Sequence, residues 1–353
     1  MLFRSRTTGT SALSVSGAST LGGSVTTSGT QTYTGAVTLG ADTTLTGTTI
    51  TTYGTVSGNY GLTITGAAVF GNGTTDTVIL GGTGKNLSVS GATTINTDTI
   101  TTSGTQTYTG AVTLGADVTL TTSAASTSGN ILFSSTVDSD GTSRALITTT
   151  ASDARTTFSN KVGNGAALKS LSISAGLATI NTDTVKTTGN QSYTGAVTLS
   201  ANATLTTTSN GDVSFTSTVN GAQSLTISTN GTGDTTFSGA VGGTAALTGL
   251  SVTTDVLSAG AVTLATSSAM VVTTGGTSSI TGAITGTSAT FEKAGAGNLT
   301  LSGTNTYTGT TTISAGTLTL TGSLSSSSGV VMTGTSAWDL QVSQTIASLS
   351  MAT

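Results

Sequence analysis

The chain of 353 residues contains no histidine, no cysteine and no proline. Without histidine there is no imidazole general base and no Ser-His-Asp triad. Without cysteine and histidine the usual zinc ligand sets are missing. A disulfide framework is excluded as well. Charge is scarce too, with 9 Lys+Arg against 13 Asp+Glu and a net charge of −4. So few cations argue against nucleic acid as a partner, because its binding rests on contacts to phosphate. No cofactor is implied, and no residue is assigned to catalysis, cofactor binding or metal ligation.

What the chain has instead is Thr, Ser and Gly, which make up more than half of it. Threonine is stiff at χ1 and glycine costs about 1 kcal/mol per site in a helix relative to alanine. Both facts disfavour helix, while Thr and Val suit a pleated strand. Disorder is opposed by the low charge and by the alternation of apolar residues, as in Ala36-Val37-Thr38-Leu39. No run of about 18 apolar residues is present, nor a series of amphipathic ten-residue strands with aromatic girdles. Met1-Leu2-Phe3-Arg4-Ser5-Arg6 lacks the apolar run of a secretory signal and differs in composition from the rest. It is expected to be non-native sequence, and the chain to be an interior fragment of a longer protein.

Internal repeats organise the remainder. TTSGTQTYTGAVTLGAD at 26–42 recurs unchanged at 101–117 and returns as TTGNQSYTGAVTLSAN at 187–202. The flanks repeat: 130–138 matches 212–220, and 156–173 matches 235–252. A super-repeat of roughly 75–90 residues thus covers about 20–258. A finer period runs near the C-terminus, where Leu299/Leu301, Leu318/Leu320 and Trp338/Leu340 follow at steps of 19 and 20. Leu299, Leu301, Gly303, Asn305, Tyr307, Gly309, Thr311 and Ile313 share one parity and would share a face in extended chain. Gly303 and Gly309 are expected at corners, and the parity flips after Ala315-Gly316.

A period near 20 made of short strands is the unit of a solenoid, in which each coil covers the apolar face of the next. The fold class expected is all-β, a parallel β-helix or solenoid with coils of about 20 residues. About 17 coils spaced by one strand separation would extend on the order of 80 Å. The absence of proline fits, since each interior coil must donate N–H groups to a neighbour.

The segment FEKAGAGNLTLSGTNTYTGTTTISAGTLTLTGS, 291–323, closely resembles the autotransporter-associated β-strand repeat, also called the passenger-associated transport repeat. Lys293, Gly295, Gly297, Leu299, Leu301, Gly303, Asn305, Tyr307, Gly309, Thr311, Ile313, Gly316, Leu318 and Leu320 carry the likeness. Glu292 departs from the Thr or Val common there, and 335–350 looks like the usual continuation. The upstream super-repeat resembles modules of filamentous-haemagglutinin-like exoproteins. The resemblance implies a right-handed β-helical passenger on the Gram-negative outer surface, exported by type V secretion. It implies an outer-membrane translocator barrel as partner, with host or matrix glycans or proteins as further partners. Residues 1–19 form an atypical N-terminal end, 20–290 the super-repeats, and 291–353 the transport repeat with a following partial coil.

Several residues invite a functional reading beside a structural one. Tyr33, Tyr108, Tyr193 and Tyr307 could stack on carbohydrate, but filling a corner of the coil with a local hydroxyl hydrogen bond is favoured. Asp138 and Asp140, with Asp153 downstream, could form a glycosidase pair. The copy at 219–221 reads Val-Asn-Gly, which favours a polar turn. GGTGKNL at 81–87 has Asn86 where a calcium-binding nonapeptide needs Asp, and GTGD at 231–234 is isolated. Gly242-Gly243 lacks the Lys-Ser/Thr of a phosphate loop. Thr317-Leu318-Thr319-Leu320-Thr321 could join an ice-binding ladder, although Thr is spread over all faces. The expectation is therefore a non-catalytic structural stalk of a secreted or surface-displayed adhesin, with a solenoid binder of glycan or ice, or a polysaccharide-degrading β-helix, as alternatives.

Overall fold

Three-residue segments such as Val37-Thr38-Leu39 have two apolar β-branched or aliphatic side chains flanking one polar side chain. Successive strand side chains point to opposite faces, so the outer two turn inward together. Val37–Leu39, Val112–Leu114 and Val197–Leu199 are each a strand with both ends buried and the central Thr outward. The computed structural model describes residues 2–3, 11–73, 75–174 and 176–352. The expectation about the first hexapeptide falls largely outside the described residues.

Among the described residues there is no α-helix, and one 3-10 turn spans Ser126–Gly129. No helix is long and apolar enough to cross a membrane, which says nothing of strands. The strands pair in parallel as a β-solenoid, with coils of about 21 residues and about 16 turns. The chain divides into two compact units, Met1–Thr179 and Ile180–Thr353.

In the first unit each coil has three sides. One column of registered residues runs Leu21, Leu39, Gly58, Leu80, Thr102. A second runs Val25, Leu45, Ile64, Val89, Tyr108, Phe133, Phe158. A third runs Tyr33, Thr52, Phe70, Ile95, Leu114. Thr43–Thr52 serves two sides with a register break between Thr46 and Thr49. Such a break is how one strand turns a corner without ending.

This geometry places the two identical repeat boxes on different sides. From Tyr33 the third column reaches Ile95 after three coils. The chain then passes two more sides, through Thr99–Thr102 to Gln106–Tyr108. Tyr108 therefore stands in the second column and Tyr33 in the third. A 75-residue repeat is not a whole number of coils, so identical sequence meets different neighbours.

The second unit is built in the same way. Tyr193, Phe215, Phe237, Ala259, Ile280, Leu301, Leu320 and Leu340 form one column. Val197, Val219, Val241, Val262 and Ile284 form another. Leu205, Ile227, Val252, Val272, Lys293, Ile313 and Met332 form the third. The sequence steps of 19 and 20 are realised directly, as Leu299 pairs with Leu318 and Leu318 with Trp338. The parity flip sits at Gly316, whose φ is 67°, a left-handed conformation that glycine adopts without steric cost.

Stacked apolar columns supply the stability. Each fully buried Val, Leu, Ile or Phe contributes about 1.5–3 kcal/mol relative to exposure. Tyr108, Phe133 and Phe158 stack with centroids 5.3 and 5.2 Å apart, and Tyr193, Phe215 and Phe237 at 4.9 and 5.0 Å. These distances follow from the strand spacing itself, because registered residues on adjacent coils cannot separate by much more.

Candidate functional site

The tyrosines of the repeat box are interior residues. Tyr33, Tyr108, Tyr193 and Tyr307 have no exposed surface, so their rings offer no platform to a carbohydrate. The first three lie at strand ends rather than at corners. Each hydroxyl donates to the glutamine two residues earlier, at 2.9 Å for Gln31 and 3.0 Å for Gln106 and Gln191. Burial pushes each phenol well above the usual tyrosine range.

The glutamines themselves are the residues that sequence reasoning missed. Gln31 Nε2 donates to Val25 O in its own coil at 3.1 Å and to Thr46 O in the next at 2.8 Å. Gln106 repeats this with Ile100 and Thr121, and Gln191 with Val185 and Thr206. A buried amide is tolerated only when its donors and acceptor are paired. The recurring Gln-x-Tyr spelling was the signal available.

The carboxylates serve as acceptors for the following coil. Asp138 Oδ1 accepts Gly165 N at 2.7 Å and Ala166 N at 3.2 Å. Asn220, its counterpart, accepts Thr244 N and Ala245 N. Acid and amide thus do one job, which needs an acceptor and no proton transfer. Asp140 is held by Arg144, and that guanidinium together with the Thr142 N–H keeps its carboxyl below the usual range. Asp153 accepts Ser126 N. The structure gives each of the three its own partner.

The calcium-like segments have the same role. Asn86 Oδ1 accepts Thr105 N at 2.7 Å. Asp234 belongs to a ladder in which Asn190 accepts Asp212 N, Asp212 accepts Asp234 N, and Asp234 accepts Val256 N. Among the described residues no group of three His, Cys, Asp or Glu is placed to hold a metal. Thr317 and Thr319 face registered Asn298 and Thr300 on one side and Ala337 and Asp339 on the other, so no uniform Thr row passes there.

Within 291–329 two buried polar residues, Lys293 and Asn305, fasten neighbouring coils, and a third, Tyr307, bonds within its own. Lys293 occupies an interior position between Val272 and Ile313 and is fully buried. Its Nζ donates to Ala294 O and Gly295 O at 2.8 Å and to Ala315 O at 3.3 Å. Burial lowers its pKa. Asn305 Oδ1 accepts Ile284 N, while Nδ2 donates to Gly303 O and Ser323 O, so one amide touches three coils. Tyr307 OH bonds Thr311 Oγ1 at 2.6 Å. Gly303 and Gly309 lie at bends, as the parity reading requires.

One open groove lies on the first unit, with a volume of about 270 Å³. Asp42, Thr44, Gly61, Thr63, Lys85 and Asn86 line it from three successive coils. Lys85 Nζ crosses the middle coil to reach Asp42 Oδ1 at 3.1 Å and stands 5.6 Å from the ring centre of half-exposed Tyr60. The Gly61 N–H at 2.8 Å, and then Lys85, hold the Asp42 carboxyl below its usual range.

These features define a parallel β-solenoid whose apolar interior carries recurrent polar clamps. Residues 291–329 match the family model described as Passenger-associated-transport-repeat, which supports the passenger-repeat resemblance of this segment. The match does not extend to the upstream super-repeat, where no comparison supports the expected likeness to filamentous-haemagglutinin-like exoproteins. No curated protein and no solved structure matches the chain.

Proposed function

We propose that this chain is a structural passenger segment of a Gram-negative surface adhesin, exported by type V secretion and non-catalytic. Residues 20–290 act as stalk and 291–353 as the portion that assists folding during export. An outer-membrane translocator barrel is the export partner, and the destination is the cell surface or the medium. The observation that carries this reading is the transport repeat lying in register within a continuous column of coils, with Lys293 and Asn305 clamping its neighbours.

The mechanism is mechanical. Solenoid stability is approximately a sum over neighbouring coils, so a chain emerging from a pore can order coil by coil without waiting for distant partners. The lack of cysteine prevents disulfide trapping in the oxidising periplasm before export. Weak contacts repeated along such a surface would give adhesion by avidity. The test is to place the chain between a secretion signal and a translocator barrel in a Gram-negative host. Intact chain should become accessible to added protease, and deletion of 291–329 should trap it in the periplasm. Equal surface display with and without that segment would overturn the export role.

A further inference from the structure

We propose that Asn72 is a self-modifying site, which loses its side-chain amide through attack by the backbone nitrogen of Gly73. The proposal stands apart from the passenger reading. The chain has five Asn-Gly sequences, at 72–73, 164–165, 210–211, 220–221 and 230–231. In such a pair the Gly nitrogen is close in the chain to the Asn Cγ, and glycine has no side chain to obstruct their approach. The Gly N–H gives its proton to hydroxide, and the nitrogen attacks Cγ. The N–Cγ bond closes a succinimide ring, the Cγ–Nδ2 bond breaks, and Nδ2 leaves as ammonia with a proton from water. Water then adds to either ring carbonyl and opens the ring to aspartate or to iso-aspartate, whose main chain runs through Cβ and Cγ. Nothing is oxidised or reduced.

Sequence gives all five pairs the same chemistry, and the structure separates them. The ring closes only when the Asn side chain can swing toward a Gly nitrogen that is not held elsewhere. Gly165 N donates to Asp138 Oδ1 at 2.7 Å. Gly221 N donates to Ala245 O at 3.1 Å, and Asn220 Oδ1 accepts Thr244 N at 2.9 Å. Asn210 Oδ1 accepts Thr232 N at 3.3 Å, and Gly211 is buried against Gly189. Asn230 Nδ2 donates to Thr208 O at 2.9 Å. In each of these four the attacking nitrogen or the amide under attack is engaged by a neighbouring coil.

Asn72-Gly73 is the exception. It lies in the link between the strands Leu62–Phe70 and Thr77–Leu80. The backbone before it is fixed, since Gly71 N donates to Thr52 O at 2.7 Å and Asn72 N to Asp76 Oδ2 at 3.3 Å. Asn72 is exposed, and neither its side chain nor the Gly73 N–H has a hydrogen-bond partner among the described residues. Apart from its chain neighbours, nothing described lies within 4 Å of the place a Cβ would take on Gly73, so this peptide has room to turn. The product carries a new carboxylate next to Asp76. The ammonia is not recovered, so the converted fraction rises with the age of the folded protein.

The full chain is aged in mildly alkaline buffer and digested, and each Asn-Gly peptide is followed by mass spectrometry for the mass gain from amide to acid. Asn72 should convert about tenfold or more faster than each of the other four, which must first break a hydrogen bond or unpack a coil. In concentrated urea, where those restraints are gone, all five should convert at similar rates. Both aspartate and iso-aspartate peptides should appear at position 72, and Gly73→Ala, whose added methyl has space in the fold, should slow the conversion. Conversion at Asn72 no faster than at the other four in the folded chain, or a lead that persists in urea, overturns the proposal. Aspartate alone at position 72, or an unchanged rate in Gly73→Ala, would mean direct hydrolysis by water and overturns the attack by Gly73.

Discussion

The Tyr108 hydroxyl donates to Gln106 Oε1 at 3.0 Å inside a core closed to solvent, and Gln106 Nε2 donates to Ile100 O and Thr121 O. The pair is therefore asymmetric. Tyr108→Phe removes one donor and should cost about 1 kcal/mol. Gln106→Leu leaves two carbonyls and a phenol unpaired and should cost about 3 kcal/mol or more. The double variant should cost less than the sum of the two, because the broken bond is counted once. Urea unfolding of the four proteins measures the cycle, and additive losses would contradict the coupling.

The aromatic stack Tyr108, Phe133 and Phe158 belongs to the apolar column of three coils. Phe133→Ala should cost about 3–5 kcal/mol, since coils fixed by their backbone ladders cannot collapse into the void. Leu132→Ala, on the outward face of the same strand, should cost under about 1 kcal/mol. Thermal melts comparing the two test whether the inside and outside of this strand are assigned correctly.

Asp138 and Asn220 accept equivalent backbone N–H groups. Asp138→Asn should leave stability unchanged within about 0.5 kcal/mol. Asp138→Ala should cost about 1 kcal/mol through the orphaned N–H groups. A large loss with Asn would show that charge, and not acceptance, is what the position needs.

Asp42, Asp117 and Asp140 have carboxyls held below the usual range. The causes are chiefly the Gly61 N–H, the Ala145 N–H and Arg144 respectively. Their folded values lie below the unfolded value of about 3.9, so their stabilisation is complete above that pH. It is lost as pH falls through the folded values. The urea midpoint should fall as pH drops below about 4, and less so in the triple variant with Asn at the three positions. An unchanged slope would contradict the assignment.

Lys293→Met keeps most of the buried volume but deprives Ala294, Gly295 and Ala315 carbonyls of their donor. The expected loss is about 3 kcal/mol, against the apolar gain of a methionine in that column. Calorimetry of the variant would show it; a stabilised protein would mean the buried ammonium costs more than its bonds return.

Strand content, parallel stacking and the inward set of the transport repeat were legible from Leu299 to Leu340, because coil length there is close to the sequence step. Burial of the four tyrosines was legible too. The sides of the solenoid were not. Identical boxes at 26–42 and 101–117 differ in face because the repeat spans three coils and two sides, and similarity carries no record of that remainder. The pairs Asp42–Lys85 and Asp117–Lys169 were hidden for a related reason, since their partners sit two coils away across variable loops. Gln31, Gln106 and Gln191 were overlooked because a polar residue in a Thr-rich strand reads as outward, and only parity with the following Tyr betrays it.

The stacking of coils can be tested by crosslinking, because the chain has no cysteine to interfere. Thr101 and Thr121 are registered on adjacent coils, and Thr149 is registered with Thr121 one coil further. Thr101→Cys with Thr121→Cys should oxidise readily, since neighbouring strands lie about 4.8 Å apart and within disulfide reach. Thr101→Cys with Thr149→Cys, at about 10 Å, should not. Efficient closure of the second pair, or none of the first, would contradict the solenoid.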